Sequence, residues 1–311
     1  LSGAHHLAAR SRLTGDNVVS DNHIYAGGRV FHAGVGILAR HTFGNRITGN
    51  HIHDLFYSGV SVGWTWGLAE NVARDIRIER NHIHDLGHGW LSDMGGIYTL
   101  GVQPGTVIRG NRIHDIRADE YGGLGIYLDE GSSHIIVEGN LCHRTSSESF
   151  CLHYGRENIV RGNVFAFGGA AGVTLGRHDS PCEHKSFTFE RNIVLTDGQP
   201  LFTTGYGADY EAGPIISDLN LFWDAAAVAP LAAQNPDWRH DLKPAYTLDE
   251  WRALNYDAHS TVADPLFKDA AAGDFTLTAD SPSRLLFPEW IPPADPPAKN
   301  SWLGPDSQVH P

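Results

Sequence analysis

Ile78-Glu79-Arg80-Asn81-His82-Ile83 is the stretch that decides the fold, because its pattern returns along most of the chain. An apolar residue, two variable positions, an asparagine, one variable position and a second apolar residue recur with little change. The bend asparagines, as we call them, are Asn22, Asn50, Asn81, Asn111, Asn140, Asn163, Asn192 and Asn220. Their spacings are 28, 31, 30, 29, 23, 29 and 28 residues. A near-constant period of this length is typical of solenoid proteins.

The local pattern within each repeat has a period close to two, which predicts strands. Asparagine tolerates left-handed backbone geometry, so each bend asparagine suits a tight bend between two short strands. A third strand follows each bend, for example Val60-Ser61-Val62 and Val173-Thr174-Leu175. Three strands and a bend predict one coil of a parallel β-helix. The fold class is therefore all-β, a solenoid of about eight recognisable coils.

The repeat fades after Asn220. Thr247-Leu248-Asp249-Glu250 has the spacing of a capping box and predicts a short helix. We expect residues 1–224 to form the β-helix. Residues 225–311 are expected to form a C-terminal cap and a proline-rich tail, packed on the helix and not an independent domain, because an uncapped end would expose strand edges.

Composition narrows the partners. The chain has 311 residues and a net charge of −13, from 23 basic and 36 acidic residues. Such a surface repels nucleic acid and anionic membranes, and no apolar run is long enough for a membrane helix. We expect a monomer with neither partner. Three cysteines imply no disulfide framework. The chain opens at Leu1 without a basic-then-apolar leader, so we expect a mature or truncated chain.

Loop lengths single out two coils. The usual distance from a bend asparagine to the third strand is 10 residues, but it is 16 from Asn81 and 15 from Asn111. The connections 62–76 and 175–187, on the other side of the third strand, are long as well. Insertions on one face of a repeat protein often form its binding face. We therefore expect a groove across coils two to six.

Both long loops lead to a Gly-Ile-Tyr strand with an acidic residue close by. Alternation along the second strand turns Asp129 outward, and Asp93 lies in the loop that enters the same face. Two carboxylates across a groove are the minimum for glycosidic hydrolysis, one as acid and the other as nucleophile or base. Either aspartate could instead stabilise a turn. Glu120 and Glu130 are substitute carboxylates.

His153 lies one coil after Asp129, in His153-Tyr154-Gly155-Arg156, and is expected beside it as an assisting catalytic residue. The alternative is an ordinary surface histidine. Aromatic residues near the long loops could stack on sugar rings, although any one of them could be a packing residue. The expected substrate-binding set is Trp64, Trp66, Trp90, Tyr98, Tyr127, Glu130, Tyr154, Arg156 and His178.

A histidine column is also visible. His53, His84, His114 and His143 each lie three residues after a bend asparagine. Such a stack could bind a transition metal. However, the four share one repeat position, so repetition alone explains them, and no loop has the clustered oxygen ligands of a calcium site. We expect no metal and no cofactor.

The combined motifs resemble glycoside hydrolase family 141, a group of right-handed parallel β-helix enzymes. The resemblance covers roughly residues 15–280 and rests on the segments Val62-Gly63-Trp64-Thr65-Trp66-Gly67, Ser92-Asp93-Met94-Gly95-Gly96-Ile97-Tyr98, Gly125-Ile126-Tyr127-Leu128-Asp129-Glu130-Gly131-Ser132-Ser133, His153-Tyr154-Gly155-Arg156 and Phe187-Thr188-Phe189-Glu190-Arg191-Asn192.

The resemblance implies a right-handed β-helix that acts on plant polysaccharides or oligosaccharides, with α-L-fucosidase or xylanase activity. It also implies a pair of catalytic aspartates at Asp93 and Asp129, and a secreted or periplasmic location. Family members usually carry extra coils and an inserted domain upstream, and we expect this chain to depart from them there. It also carries Ser147-Glu148-Ser149-Phe150 where a Gly-rich approach is more usual.

Two other functions stay open at this stage. A polysaccharide lyase or epimerase could use the same scaffold, but it needs a Lys or Arg base or a calcium ion. Lysine is absent from the groove motifs, and Lys185 is the nearest candidate. A glycan-binding or structural β-helix without catalysis is the second alternative. The two outward acids in the coils with the longest loops favour the hydrolase.

Overall fold

The computed structural model describes residues 13–176, 183–204, 209–226, 231–235 and 241–286, and positions 288, 290 and 292–294. In these ranges the chain is an all-β solenoid of about seven turns with little helix, which confirms the predicted fold class. The eight bend asparagines mark the boundaries of seven repeats, which matches the seven turns.

Three sheets of parallel strands form the walls of the solenoid. Sheet 1 holds the strands that precede the bend asparagines: Val18–Ser20, Arg46–Thr48, Arg77–Glu79, Val107–Arg109, Ile136–Glu138, Asn158–Arg161, Phe187–Glu190 and Ile215–Asp218. Sheet 2 holds the strands that follow them: His23–Tyr25, His51–Leu55, His82–Leu86, Arg112–Ile116, Leu141–Thr145, Val164–Gly168, Ile193–Thr196 and Leu221–Asp224. Thr261–Val262, which follows Ser260, is added at its end.

Sheet 3 holds the third strand of each coil: Ile37–Arg40, Val60–Gly63, Gly95–Thr99, Leu124–Leu128, Phe150–Leu152, Val173–Leu175, Phe202–Thr204 and Ala233–Gln234, with Ala245–Tyr246 added antiparallel at the end. Two short pairs lie outside these sheets, Thr14–Gly15 with Thr42–Phe43 and Phe267–Asp269 with Asp274–Leu277. The 3-10 turns are Tyr210–Ala212 and Pro282–Leu285.

The strand register places equivalent residues of neighbouring coils opposite one another. Ile83 in sheet 2 lies opposite Ile52 and Ile113 of the neighbouring coils, and Ile97 in sheet 3 lies opposite Ile126. These side chains are fully buried and belong to one core that runs along the solenoid axis. Burial of the inward apolar columns is the main stabilising force of the fold.

The bend asparagines form a continuous ladder of hydrogen bonds. The Oδ1 atom of Asn111 accepts from the backbone N–H of Asn81 at 3.0 Å and from its Nδ2 at 3.0 Å. The Nδ2 atom of Asn111 donates to Asn140 Oδ1 at 2.9 Å and to the carbonyl oxygen of Ile78 at 2.8 Å. The other bend asparagines continue the pattern in both directions. Each side chain therefore ties three coils together.

The ladder shows a different reason for asparagine at the bend than its tolerance of left-handed backbone geometry. Among the described residues no bend asparagine has a positive φ angle. The left-handed residue is the one immediately before it, with φ between +51° and +66°, at Asp21, Gly49, Arg80, Gly110, Gly139, Gly162, Arg191 and Leu219. The expectation that the asparagine itself takes the left-handed conformation is wrong. Its amide, which both donates and accepts, is what the position requires.

The predicted C-terminal helix is present as α1, Leu248–Ala253. Thr247 and Glu250 form the capping box, with each side chain accepting from the backbone N–H of the other at 3.3 and 3.0 Å. Trp251 of α1 is fully buried and stacks on Phe202 of sheet 3 with ring centroids 5.1 Å apart. The helix thus covers the end of the core.

The asparagine ladder ends on this C-terminal segment. The backbone N–H of Asn220 donates to Ser260 Oγ at 2.8 Å, and its Nδ2 donates to Asp257 Oδ1 at 2.9 Å. Asp257 is fully buried and also accepts from Trp251 Nε1 at 2.8 Å. A carboxylate therefore replaces the next asparagine as acceptor. The domain boundary predicted between residues 224 and 225 stays a prediction.

No helix in the described ranges is long and apolar enough to cross a membrane.

The outer face of sheet 2 carries the histidine column. The rings of His84 and His114 stack with centroids 4.9 Å apart, and those of His114 and His143 at 4.8 Å. His143 is fully buried beneath Phe275 of the C-terminal segment, 4.8 Å away. Within the part of the chain that the structure describes, neither ring nitrogen of His143 has a hydrogen-bond partner. Burial, together with the neighbouring His114, Arg144 and Arg112, therefore opposes protonation of His143.

Replacing Asn111 by alanine should strongly destabilise the fold. The change leaves the Asn81 donors and the Ile78 carbonyl without their buried partners, at roughly 1–3 kcal/mol for each unsatisfied group. Asn22→Ala is the matched control, because Asn22 is the exposed first rung of the same ladder. Thermal and urea unfolding of both variants measure the difference. Equal losses would contradict a cooperative role for the buried ladder.

Acid should destabilise the fold through His143. Burial first, and then the positive charges of His114, Arg144 and Arg112, lower the pKa of His143 to about 2, while Asp115 acts in the opposite direction. Below pH ~6.5 the unfolded chain binds a proton at His143 that the folded chain does not bind. The free energy of unfolding therefore decreases as the pH is lowered, by up to about 1.4 kcal/mol per pH unit. Urea unfolding at pH 7 and pH 4 should show a smaller loss for His143→Leu than for wild type. An identical loss would exclude His143 as a source.

Candidate active site

The two long loops reach the same edge of sheet 3. Asp93 lies in the loop before the strand Gly95–Thr99, and the loop of the next coil passes beside it. The backbone N–H of Asp93 donates to the carbonyl oxygen of Tyr121 at 3.0 Å, and the Asp93 carbonyl accepts from Tyr57 Oη at 2.8 Å. Asp93 is therefore fixed between the coils before and after its own. Its φ of +57° is a conformation that aspartate tolerates.

Asp129 directly follows the strand Leu124–Leu128, and it is only 5% exposed. Its Oδ1 lies 2.8 Å from Nδ1 of His153 on the next coil. Its Oδ2 accepts a short hydrogen bond from the hydroxyl of Tyr98 on the preceding coil. Side chains from three successive coils therefore meet at this carboxylate.

The two carboxylates have pKa values that move in opposite directions. Burial, followed by the charge of Asp129, raises the pKa of Asp93. Burial alone would also raise the pKa of Asp129, but hydrogen bonds from His153, Tyr98 and the Glu130 backbone outweigh it and lower that pKa. Two acids with separated pKa values can hold one proton between them, which is the usual arrangement of an acid and a nucleophile or base.

A cavity of ≈ 450 Å³ opens beside Asp93, within the size range of small-molecule sites. Its wall includes a third carboxylate, Glu148, which is 8% exposed and accepts from Ser147 Oγ at 2.6 Å. Burial, and then the charges of Glu148, Asp129 and Asp93, raise the pKa of Cys151 far above its usual range. The lining residues are Asp93, Tyr121, Gly122, Leu124, Tyr127, Ser147, Glu148, Cys151 and Thr174.

Sequence analysis missed Glu148, Tyr121 and Tyr57 as site residues. The signal for Glu148 was available, because Phe150 lies opposite Ile126 in the register. Two residues earlier, Glu148 comes level with Leu124, whose side chain lines the cavity. Tyr57 and Tyr121 lie in loops, where a repeat gives no register. Burial, and then the charges of Asp93 and Asp129, raise the pKa of Tyr57 to about 12.

Tyr98 and Tyr127 lie side by side on the outer face of sheet 3 but are only 5% and 2% exposed. Their rings meet edge to face at 5.0 Å and pack with Trp64. The sequence predicts that these two rings stack on a sugar, but their burial leaves little ring surface for such stacking. Their hydroxyls instead serve the carboxylates, Tyr98 at Asp129 and Tyr127 at Asp93.

The predicted tryptophans lie at different places around the sheet. Trp66 is 54% exposed and meets Trp64 edge to face at 5.6 Å. Trp90 is 59% exposed and packs edge to face on Phe56 at 5.8 Å. Both exposed rings are free to stack on a ligand. Trp64 has φ of +77°, a rare conformation for a bulky residue, and such strain is most often found at functional sites.

Glu130 and Tyr154 are brought together, since the Tyr154 hydroxyl donates to Glu130 Oε2 at 2.9 Å. Gly131 beside them has φ of +78°, and a Cβ atom there would stand 1.9 Å from the Gly67 carbonyl oxygen. The connection 62–76, which carries Trp64 and Trp66, therefore lies directly on this turn. Arg156 is partly exposed, with its backbone N–H bound to Ser133 Oγ at 3.1 Å. His178 lies outside the described residues.

Comparison with known proteins bears on the scaffold. Residues 73–212 match the family model of the right-handed β-helix region. No protein with curated annotation matches the chain. One matching solved structure, titled "Glycoside hydrolase", is 28% identical, with a TM-score of 0.42, and the match covers 45% of this chain and 24% of that one.

A second solved structure, titled "The complex structure of XylC with xylose", is 14% identical with a TM-score of 0.41. The match covers 72% of this chain and 39% of that one. The matched part therefore spans about a quarter and two fifths of the two solved chains. The family model assigns residues 73–212 to a right-handed β-helix region.

Proposed function

We propose that the protein is a glycoside hydrolase that cleaves the glycosidic bonds of a plant-type polysaccharide or oligosaccharide. The observation that carries the proposal is the pair Asp93 and Asp129 on adjacent coils: Asp93 lines a cavity, and Asp129 is held by hydrogen bonds with Tyr98 and His153. Their pKa values move in opposite directions. Hydrolysis of an acetal needs one carboxylic acid and one carboxylate on the two sides of the scissile bond.

Asp93 is the general acid of this mechanism. It lines the cavity, and its raised pKa favours the protonated form that the leaving oxygen requires. Asp129 is the nucleophile or base, kept ionised by the hydrogen bonds of Tyr98 and His153. His153, with 18% of its side chain exposed, assists by orienting the Asp129 carboxylate.

The substrate proposal rests on aromatic exposure and on the motif resemblance to glycoside hydrolase family 141. Tyr121 lines the cavity, Trp66 lies in the loop after the strand Val60–Gly63, and Trp90 lies in the loop before the strand Gly95–Thr99. All three are more than half exposed. Exposed aromatic faces bind the apolar faces of sugar rings. The resemblance implies fucosidase-like or xylanase-like specificity, and a secreted or periplasmic location stays a prediction with it.

Asp93→Asn and Asp129→Asn should each abolish most of the activity. Loss of a positioned acid or base typically costs 10²–10⁴-fold in rate. Product release from xylan and from fucosylated oligosaccharides measures it. Asp119→Asn is the matched control, because Asp119 is an exposed acid in the loop that follows sheet 2 in the Asn111 coil. Full activity in both test variants would overturn the assignment.

The variant Glu148→Gln tests whether Glu148 or Asp129 is the nucleophile or base. Glu148 is the alternative to Asp129 because it lines the same cavity as Asp93. A complete loss in Glu148→Gln with an active Asp129→Asn would transfer the role to Glu148. Cleavage that yields an unsaturated uronide absorbance would identify a lyase instead. Glycan binding without product release would identify a binding protein.

The pH profile should follow the two aspartates. Activity requires Asp129 ionised and Asp93 protonated, so the acidic limb lies below the ordinary carboxyl pKa and the alkaline limb above it. The Tyr127 hydrogen bond lowers the pKa of Asp93, so Tyr127→Phe should move the alkaline limb of kcat/KM to higher pH. Tyr25→Phe, on sheet 2, is the control. A shift to lower pH would exclude Asp93 as the acid.

A further inference from the structure

The histidines of sheet 2 form two columns and not one. His23, His51 and His82 directly follow bend asparagines, and the column described above lies two residues further along each strand. The rings within a column stack, with centroids 5.0 Å apart between His51 and His82 and 4.9 Å apart between His53 and His84. The sequence pattern did not indicate that the two columns meet.

The columns meet through diagonal pairs of ring nitrogens. Nε2 of His51 lies 2.7 Å from Nε2 of His84 on the next coil, and Nε2 of His82 lies 2.8 Å from Nε2 of His114. Each pair has room for one shared proton. Imidazole nitrogens that face one another in this way offer lone pairs to a metal ion once the donor ring takes its Nδ1–H tautomer, with solvent carrying the proton from Nε2 to Nδ1.

A carboxylate orients one of these rings. Asp85 Oδ2 lies 2.7 Å from Nδ1 of His84. With Nδ1–H donating to this carboxylate, the Nε2 lone pair of His84 points towards His51. A carboxylate bound to the far nitrogen of a histidine is the usual partner of a metal-ligating imidazole.

Three of the imidazoles converge closely enough to share an ion. The ligand nitrogens of His51, His82 and His84 all lie within 4.8 Å of one another. Tetrahedral zinc, with Zn–N distances of about 2.0–2.1 Å, needs nitrogens roughly 3.4 Å apart. To bind an ion, Nε2 of His51 and Nε2 of His84, now 2.7 Å apart, would have to separate by about 0.7 Å, and His82 would have to approach them, which side-chain rotation would have to supply. His51 and His84 reach solvent, while His82 is only 7% exposed.

We propose that His51, His82 and His84 bind one divalent transition-metal ion, with a solvent molecule as the fourth ligand. His51 also belongs to a second group, with His23 and His53, whose nitrogens converge similarly. Sharing His51 limits the array to one tightly bound ion per chain. Of these two groups, which we call inner (His51, His82 and His84) and outer (His23, His51 and His53), only the inner group contains His84, the ring oriented by Asp85. The inner group is therefore the proposed site. Nitrogen ligands select Zn²⁺, Cu²⁺ or Ni²⁺ over Mg²⁺ and Ca²⁺.

Titration calorimetry of the whole chain with Zn²⁺, after treatment with chelator, tests the site. We expect one equivalent to bind, with a rise in melting temperature, and no binding of Mg²⁺. His84→Ala should remove the binding. Asp85→Asn should weaken it by about 10–100-fold, the usual effect of losing such a carboxylate. The absorption spectrum of bound Co²⁺ should indicate tetrahedral geometry.

His23→Ala and His134→Asn are the controls, and both should keep the binding. His23 belongs only to the outer group, and His134 is an exposed histidine with φ of +60°, a conformation that asparagine tolerates. Chelator-treated melting curves identify any misfolded variant, in which case His84→Gln replaces His84→Ala. No zinc binding by wild type would overturn the proposal. So would binding that survives in the His84 variant but is lost in His23→Ala.

Discussion

The asparagine ladder is the interaction on which the rest of the structure depends. A parallel solenoid must turn its chain sharply at each coil, and a sharp turn leaves buried backbone groups that need partners. One amide side chain meets this need by accepting from the coil before it and donating to the coil after it and to a backbone carbonyl. Since every amide is both donor and acceptor, the coils are held in register. The ladder ends only where Asp257 supplies a final acceptor.

Fixing one corner of every coil leaves the other corners free to vary. The long loops lie at the two edges of sheet 3. At the corner before sheet 1 the described coils have only separate asparagine contacts, from Asn17 to Asn45 and from Asn158 to the Ser132 and Ser186 carbonyls, and not a continuous ladder. The register of sheet 3 nevertheless places Tyr98, Tyr127 and Cys151 side by side. Loops of different length therefore join strands that are in regular register. Asp93 and Glu148 reach one cavity from different coils. A regular scaffold thus carries an irregular site.

The extent of what sequence could predict follows from this division. The strands, the stacking of coils and the contact of Asp129 with His153 all follow from one repeated pattern, because register carries each position to the next coil. Properties that depend on loop paths were out of reach. Tyr98 and Tyr127 are buried in a cluster on which Trp64, from the connection 62–76, packs, and the pattern of a strand cannot indicate such a contact. The diagonal histidine pairs depend on side-chain rotation, which the repeat leaves undefined.

Stacking of identical residues also explains why an acid pair needs a broken repeat. Aspartates that share a repeat position on sheet 2 would repel one another, and each is paired instead: Asp54 with Arg29, Asp85 with His84 and Asp115 with Arg144. Asp93 and Asp129 occupy different positions in their coils. One is approached by Tyr127, and the other by Tyr98 and His153. Unequal surroundings separate their pKa values, a separation that a strict repeat would remove.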